Sequence, residues 1–504
     1  MSPAPHLPAS APLAAVDIGS NSFRLEIGQL QHDRYRRIDY LKETVRLGAG
    51  LDADGRLGEA ATRRGLDTLA RFAERLAGFA PEQVRAVATQ TLREATNRDA
   101  FLERARSALG HPIEVISGRE EARLIYAGVA HLQPADDRRL VIDIGGRSTE
   151  MILGRGRLPL AAESFQVGSV SLSMRWFPDG RLTAAAFRAA QVAAAAEFEE
   201  AAATFSPKGW DRALGSSGTA GAVSQLLLAA GQTDGRITPQ ALAWCIERCI
   251  EAGHVERIDF PGLKPERRAV LPGGLAILYT LAAQFRVEAL WPAKGALRQG
   301  VIVEMHDRRM AAGRAYAGDV RDASVRELQQ RFAVDPAQAQ RVHEAALALY
   351  RQVEPQAGPE AQRELGWAAD LHEMGMMVSH HDHHRHAAYL MGHVDAPGFS
   401  QSQQRRLAAL VLGHRGGLRK MEAQLAQPAF AWQLLCLRLA VIRCHGRGPA
   451  RPPRLSLRRQ GSNAGLHWVP PDADLNPQTL HLLREEAAAW ERQGGLRLQI
   501  EERR

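Results

Sequence analysis

Cysteine is scarce in this chain: four occur in 504 residues, Cys245, Cys249, Cys436 and Cys444. Cys245 and Cys249 lie four apart in a stretch that reads as helix, and no second pair stands at zinc spacing. That pattern excludes a zinc ribbon or a disulfide-stapled scaffold; it fits a reducing compartment, with the thiols as small core residues. Long apolar runs are missing too. A bilayer span needs about 18 consecutive apolar residues, and the strongest candidate, AWQLLCLRLAVI, is shorter and carries Arg438. The opening residues, MSPAPHLPASAP, have no basic segment followed by an apolar one, so residues 1–12 read as a disordered lead rather than an export signal. These absences point to a cytoplasmic protein with no integral membrane segment.

What is present is ordinary globular composition, 45% hydrophobic and 24% charged. The chain is too long for one core, so several domains are expected. Its net charge is +8, carried mostly by arginine, whose planar fork suits phosphate oxygens. An anionic partner fits that balance; nucleic acid and other polyanions share the signature.

Strands and helices alternate along the first three hundred residues. LAAVDI (13–18) and RLEIGQL (24–30) read as strands around the turn GSNS. Helical periodicity follows at 59–77, where Leu66, Leu69, Phe72 and Leu76 share a face. VRAVAT (84–89) and IEVIS (113–117) read as strands, each leading into a helix. RLVIDIGG (139–146) and TEMILG then repeat the first phrase, strand, glycine turn, strand. This is an α/β pattern with ligand-binding turns at strand ends, and the repeated DIG implies two related halves facing one cleft. Strand signals fade after about residue 308, residues 323–446 read as almost entirely helical, and a second boundary falls near 447, before a C-terminal helix and strand.

A glycine-rich turn lets backbone N–H groups approach an anion without a Cβ in the way. Gly19, Ser20, Asn21 and Ser22 form one candidate cradle, Gly145, Gly146, Ser148 and Thr149 an opposing one, and Gly218 with Thr219 a third wall. Asp17 and Asp143 hold equivalent places in the two turns, and Glu150 lies on the return strand. Such carboxylates suit Mg²⁺. A general base would deprotonate an attacking water, and Glu120 and Glu121 in GREEA are both candidates for it. Arg93, following a strand in TQTLREATN, is placed as a phosphate-gripping arginine would be.

The ordered runs AAVDIGSNSFRL, ATQTLREATN, ISGREEARLIYAGV, VIDIGGRSTE, LGSSGTAGA, LPGGLAIL and GALRQGVI resemble the exopolyphosphatase / guanosine pentaphosphate phosphohydrolase family, most of all its long bacterial exopolyphosphatases. This family belongs to the superfamily of acetate kinase, sugar kinases, Hsp70 and actin. The resemblance implies two ribonuclease-H-like domains, at 13–131 and 132–308, then a helical HD-like domain at 309–446 and a small C-terminal α+β domain at 447–504. It implies Mg²⁺-dependent removal of terminal phosphate from inorganic polyphosphate, by a homodimer; a basic channel that holds the remaining chain would make cleavage processive, and no nucleic-acid partner is expected. Hydrolysis of guanosine pentaphosphate (pppGpp) is the alternative; a sensor of polyphosphate or (p)ppGpp and a superfamily ATP-dependent kinase are the other readings. By motif, Glu121 matches the catalytic base, and Asp143 and Glu150 match the metal-site acids. Gly19, Asn21, Ser22, Arg93, Gly145, Gly146, Ser148, Thr149, Gly218 and Thr219 match the phosphate-binding positions.

Arg147 departs from the family pattern DIGGGST. If the third glycine needs a positive φ or abuts the ligand, an arginine there strains the loop or occupies phosphate space; alternatively its guanidinium adds a bidentate phosphate contact. Either way the substitution is expected to change affinity for substrate or metal and leave the fold intact. Farther on, WAADLHEMGMMVSHHDHHRHAAYLMGH (367–393) holds seven histidines. A metal centre suits them, but the His-Asp pair of an HD domain appears here as His372-Glu373. A helical scaffold with a basic surface, extended by Arg385, Arg405, Arg406, His414 and Arg415, is the expectation.

Overall fold

The computed structural model describes residues 11–31, 34–312, 319–447, 455–468 and 477–500; the lead expected at 1–12 lies outside them up to residue 10. The chain divides into two compact units, residues 1–317 and 318–504.

The first unit is built on two five-stranded sheets. In one, β1 (Leu13–Ile18), β2 (Ser22–Gln31), β3 (Arg34–Thr44), β4 (Val84–Ala88) and β5 (Ile113–Val115) lie in the order β3-β2-β1-β4-β5. In the other, β6 (Arg138–Ile144), β7 (Thr149–Arg155), β8 (Leu158–Phe165), β9 (Arg212–Gly215) and β10 (Leu290–Pro292) lie in the order β10-β9-β6-β7-β8. Read from the opposite edge, the second order is the first repeated. In both sheets three antiparallel strands are followed by two parallel ones. β1 is buried at every position, as a strand covered on both faces must be. The duplication extends to detail, because the second strand of each sheet shifts register at an equivalent glycine, Gly28 or Gly154.

Two strands without a sequence signal complete the sheets. β3, RYRRIDYLKET, is an edge strand with no fully buried residue, so it lacks the apolar alternation that announces a strand. β8 is the matching edge, with Leu158 and Leu160 exposed.

Helices Gly118–Leu132 and Leu297–Ala312 follow the last strand of their respective sheets. They cross with their backbones in contact. A Cβ on Gly300 would fall 1.7 Å from the Leu124 carbonyl oxygen, and one on Gly128 would fall 2.4 Å from that of Ala296. Both helices contribute to a core that also takes Leu13, Ala15 and Val87 from the first sheet and Val141, Ile152 and Leu214 from the second. This crossing fixes the first turns of the two helices, and hence Glu121 and Arg298, between the sheets.

The second unit opens as a bundle of helices from Val320–Arg331 to Pro428–Arg443. β11 (Leu455–Gln460) and β12 (Asn463–Trp468), in the proline- and arginine-rich stretch, carry no strand signal in the sequence; with β13 (Arg497–Ile500) they form a three-stranded sheet accompanied by helix Pro477–Gln493. Leu457, Leu466, Leu483, Trp490 and Leu498 share one hydrophobic core with the helices. The four cysteines are buried and unpaired, and burial pushes the Cys245 and Cys249 thiols up to about 12. No described helix is long and apolar enough to cross a membrane.

Candidate active site

The two DIG turns face each other across a cleft of about 350 Å³. A Cβ on Gly146 would stand 3.3 Å from the Ser20 Cβ and 3.5 Å from the Asn21 nitrogen, so the second loop closes on the first. The turns are built alike: a Cβ on Gly19 would approach the Ser22 carbonyl oxygen to 3.0 Å, and one on Gly145 that of Ser148 to 3.1 Å. Neither glycine has a positive φ; close approach of backbone to backbone is what asks for glycine. The third turn joins them. Ser217 caps helix Gly218–Ala229 by accepting hydrogen bonds from the Thr219 and Ala220 N–H groups, and the Thr219 hydroxyl donates to the Ile144 carbonyl, 2.9 Å away. Gly19, Asn21, Ser22, Gly145, Gly146, Ser148, Gly218 and Thr219 all line the cleft.

Glu121 and Glu120, which residue type and position alone do not separate, part company here. Ser117 caps their helix by accepting from the Glu120 N–H. Glu120 turns into a buried network with Arg123, which also holds Glu304. Glu121 lines the cleft. Burial raises its carboxyl above the ordinary range, Arg93 pulls it down and the Asp17 charge pushes it further up. Arg93 donates to Glu121 Oε2 at 2.9 Å and to the Ile116 carbonyl at 3.0 Å; it is not among the residues lining the cleft.

The acids of the second turn repel one another. Asp143 and Glu150 are directly paired across β6 and β7. Burial pushes Asp143 up to about 7; a Ser216 hydrogen bond opposes this and the Glu121 charge adds to it. Burial, then Glu121 and Asp143, hold Glu150 well above the usual range. Asp143 lines the cleft; Glu150, buried behind it, accepts from the Ser164 hydroxyl at 2.8 Å. Thr149 is also fully buried, and its hydroxyl donates to the Val167 carbonyl at 2.6 Å rather than into the cleft.

The cleft also gathers cations that local sequence does not announce. Arg24, Lys42, Arg267 and Arg298 come from four separate elements. A Cβ on Gly218 would meet the guanidinium nitrogens of Arg267 at 2.6 Å and Arg24 at 3.4 Å, so these arginines crowd the third turn. Arg298 pairs with Asp17 and Glu26, each at 3.2 Å. Burial, then Arg267 and Arg24, lower Lys42 to about 8. Such a cluster of like charges is what a polyanionic ligand would relieve.

Arg147 matches neither expectation for it. Its φ is not positive, so the loop is not strained there. Its guanidinium does not line the cleft; it binds Glu94 Oε2 through Nε at 2.9 Å and a terminal nitrogen at 2.7 Å, and the Gly48 carbonyl at 3.2 Å. The histidine-rich segment is likewise not a basic surface throughout. His372, His383, His384 and His414 are buried, and burial lowers His372 and His384 to about 4. Arg406 is engaged by Glu364 and Gln433.

The sequence pattern of the Ppx/GppA phosphatase family matches residues 30–309, and that of Ppx/GppA phosphatase domain III matches 320–470. These matches over the duplicated sheets and the helical unit define a phosphatase, and this chain belongs to the Ppx/GppA phosphatase family. A relative named guanosine-5'-triphosphate,3'-diphosphate pyrophosphatase, from Photobacterium profundum, is 39% identical over 89% of this chain and 90% of its own length. One of the same name from Vibrio cholerae is 39% identical over 90% of each. A solved exopolyphosphatase-like protein superposes with a TM-score of 0.54 at 25% identity, covering 60% of this chain and 99% of that one. An exopolyphosphatase from Cytophaga hutchinsonii does so with 0.54 at 23% identity, covering 59% and 98%, and shows the same fold.

The carboxylates fit a hard divalent cation chemically. Asp143 and Glu150 offer oxygen donors, and their mutual repulsion in a buried setting is relieved by positive charge. Among the described residues no group of three or more histidine, cysteine, aspartate or glutamate side chains is arranged to enclose an ion. Partial coordination by protein suits Mg²⁺, which keeps waters and phosphate oxygens in its shell.

Proposed function

We propose that this protein hydrolyses pppGpp to ppGpp and phosphate. The observation that carries this reading is the likeness to pyrophosphatases of that substrate, 39% identical across nine-tenths of the chain. It replaces polyphosphate, the first expectation, as the leading substrate. The geometry supports the chemistry. The terminal 5'-phosphoryl group is held by N–H groups of the Gly19–Ser22 and Gly146–Ser148 turns, and Arg24, Lys42 and Arg267 neutralise the remaining phosphates. Glu121 accepts a proton from water as the water oxygen bonds to phosphorus and the bridging anhydride bond breaks. The bridging oxygen leaves with its electron pair on ppGpp. A raised pKa makes Glu121 a stronger base than an ordinary carboxylate, and Arg93 fixes its orientation. A divalent cation, Mg²⁺ as expected, would be held by Asp143 with Glu150 behind it and supplies charge neutralisation on the phosphate oxygens. In this reading the lobes 13–131 and 132–308 perform the chemistry, and residues 309–446 and 447–504 retain substrate or pair two copies into a homodimer.

Exopolyphosphatase is the second reading, favoured by the cation-rich cleft and the exopolyphosphatase-like structure of 25% identity. Every step is shared except the leaving group. Phosphate release from pppGpp and from long-chain polyphosphate, at equal concentrations of chain ends, separates the two. A kcat/KM at least tenfold higher on pppGpp supports the first reading and the reverse order supports the second. No release from either refutes both.

A further inference from the structure

We infer that Arg147 is a positioning residue: it holds Glu94 so that Arg93 stays on Glu121. This rests on the role given above to Glu121. The side chains form one unbroken hydrogen-bonded series from the second phosphate loop to the carboxylate. Arg147 binds Glu94 Oε2 at 2.9 Å and 2.7 Å. The other oxygen of the same carboxylate, Oε1, accepts from the Gln90 amide nitrogen at 2.6 Å. That fixes which way the Gln90 amide faces, and its oxygen accepts from Arg93 Nε at 2.9 Å and from a terminal nitrogen at 2.6 Å. The remaining terminal nitrogen of Arg93 reaches Glu121 Oε2 at 2.9 Å. Each group in the series uses a different atom for each neighbour, so a shift at one end is passed to the other.

Charge makes the dependence directional. Glu94 lies on the short helix Gln90–Glu94 beside Arg93, and Arg147 is the cation that neutralises it. Deleting Arg147 leaves Glu94 without that cation, joined through the Gln90 amide to the Arg93 guanidinium. Arg93 then has two carboxylates to serve, Glu94 and Glu121, and its hold on Glu121 weakens. Arg147 also ties the two turns together, through the Gly48 carbonyl at 3.2 Å; the Gly48 N–H in turn donates to the Ser20 carbonyl at 2.8 Å. The planar fork of arginine makes both contacts at once. Among the described residues its guanidinium contacts run to Glu94 and Gly48 and it does not line the cleft, so its effect falls on turnover more than on substrate affinity.

The test is steady-state pppGpp hydrolysis by the full chain with R147A, R147K and the double variant R147A/E94Q. The series predicts that R147A lowers kcat roughly tenfold, as misplacement of a catalytic group does, with KM within about twofold. R147K recovers part of the loss. R147A/E94Q recovers at least threefold over R147A, because removing the uncompensated charge returns Arg93 to Glu121; a role in loop stability alone gives no such rescue. A raised KM at unchanged kcat, or a double variant as slow as R147A, overturns the inference. If E121Q turns over like the wild type, the assignment of Glu121 fails instead, whatever Arg147 does.

Discussion

Asp143 and Glu150 face each other across an antiparallel strand pair, at the register position that Asp17 and Arg24 occupy in the first sheet. The duplicated lobes thus differ in sign at one place. Acid meets arginine in the first, and acid meets acid in the second. Only the second needs a proton or an added cation to be stable while buried.

That asymmetry predicts how stability depends on pH. Asp143, Glu121 and Glu150 are all raised above their unfolded values, near 4. The native state therefore binds more protons than the unfolded one as pH rises from about 4 towards 7, the value of Asp143. Stability falls with pH across that window. Melting curves at pH 5 and pH 8 in chelator are expected to show a lower Tm at pH 8. Mg²⁺ should restore the pH 8 value, and D143N should flatten the slope.

The cation cluster predicts an affinity effect. R267A removes a guanidinium that crowds the third turn beside Arg24. KM for pppGpp should rise about tenfold with little change in kcat. The dependence of kcat/KM on salt should become shallower, since fewer charges meet the substrate. An unchanged KM and salt slope would place the substrate elsewhere.

Packing gives a third prediction. A Cβ at Gly300 would stand 1.7 Å from the Leu124 carbonyl oxygen, and backbone cannot yield as a flexible side chain does. G300A should destabilise the fold by about 1–3 kcal/mol, the usual cost of overpacking, visible as a Tm several degrees lower. It should also depress kcat, because the two separated helices carry Glu121 and Arg298.

The parts of this structure that were legible in the sequence are those with local causes. β1 and β6 are continuous apolar runs ending in DIG, and the repeated phrase foretold the duplicated sheets. β3 was not legible, because an edge strand of alternating charge has no buried face to mark it. The choice of Glu121 over Glu120 required the resemblance, since helix phase decides which carboxylate meets the cleft. Arg24, Lys42 and Arg267 converge only after folding, from β2, β3 and the turn Pro265–Val270. The two meanings first open to Arg147, strain or a phosphate contact, both looked inward; its partners Glu94 and Gly48 are remote in sequence and adjacent in space.

The central claim is that the two apposed turns hold a phosphoryl group beside Glu121, which readies the water. The most direct test is the single-turnover rate of phosphate release from pppGpp by E121Q, with saturating Mg²⁺ and enzyme in excess. A drop of about 10²–10⁴-fold with substrate binding retained is the predicted result. A rate within threefold of the wild type would contradict the account.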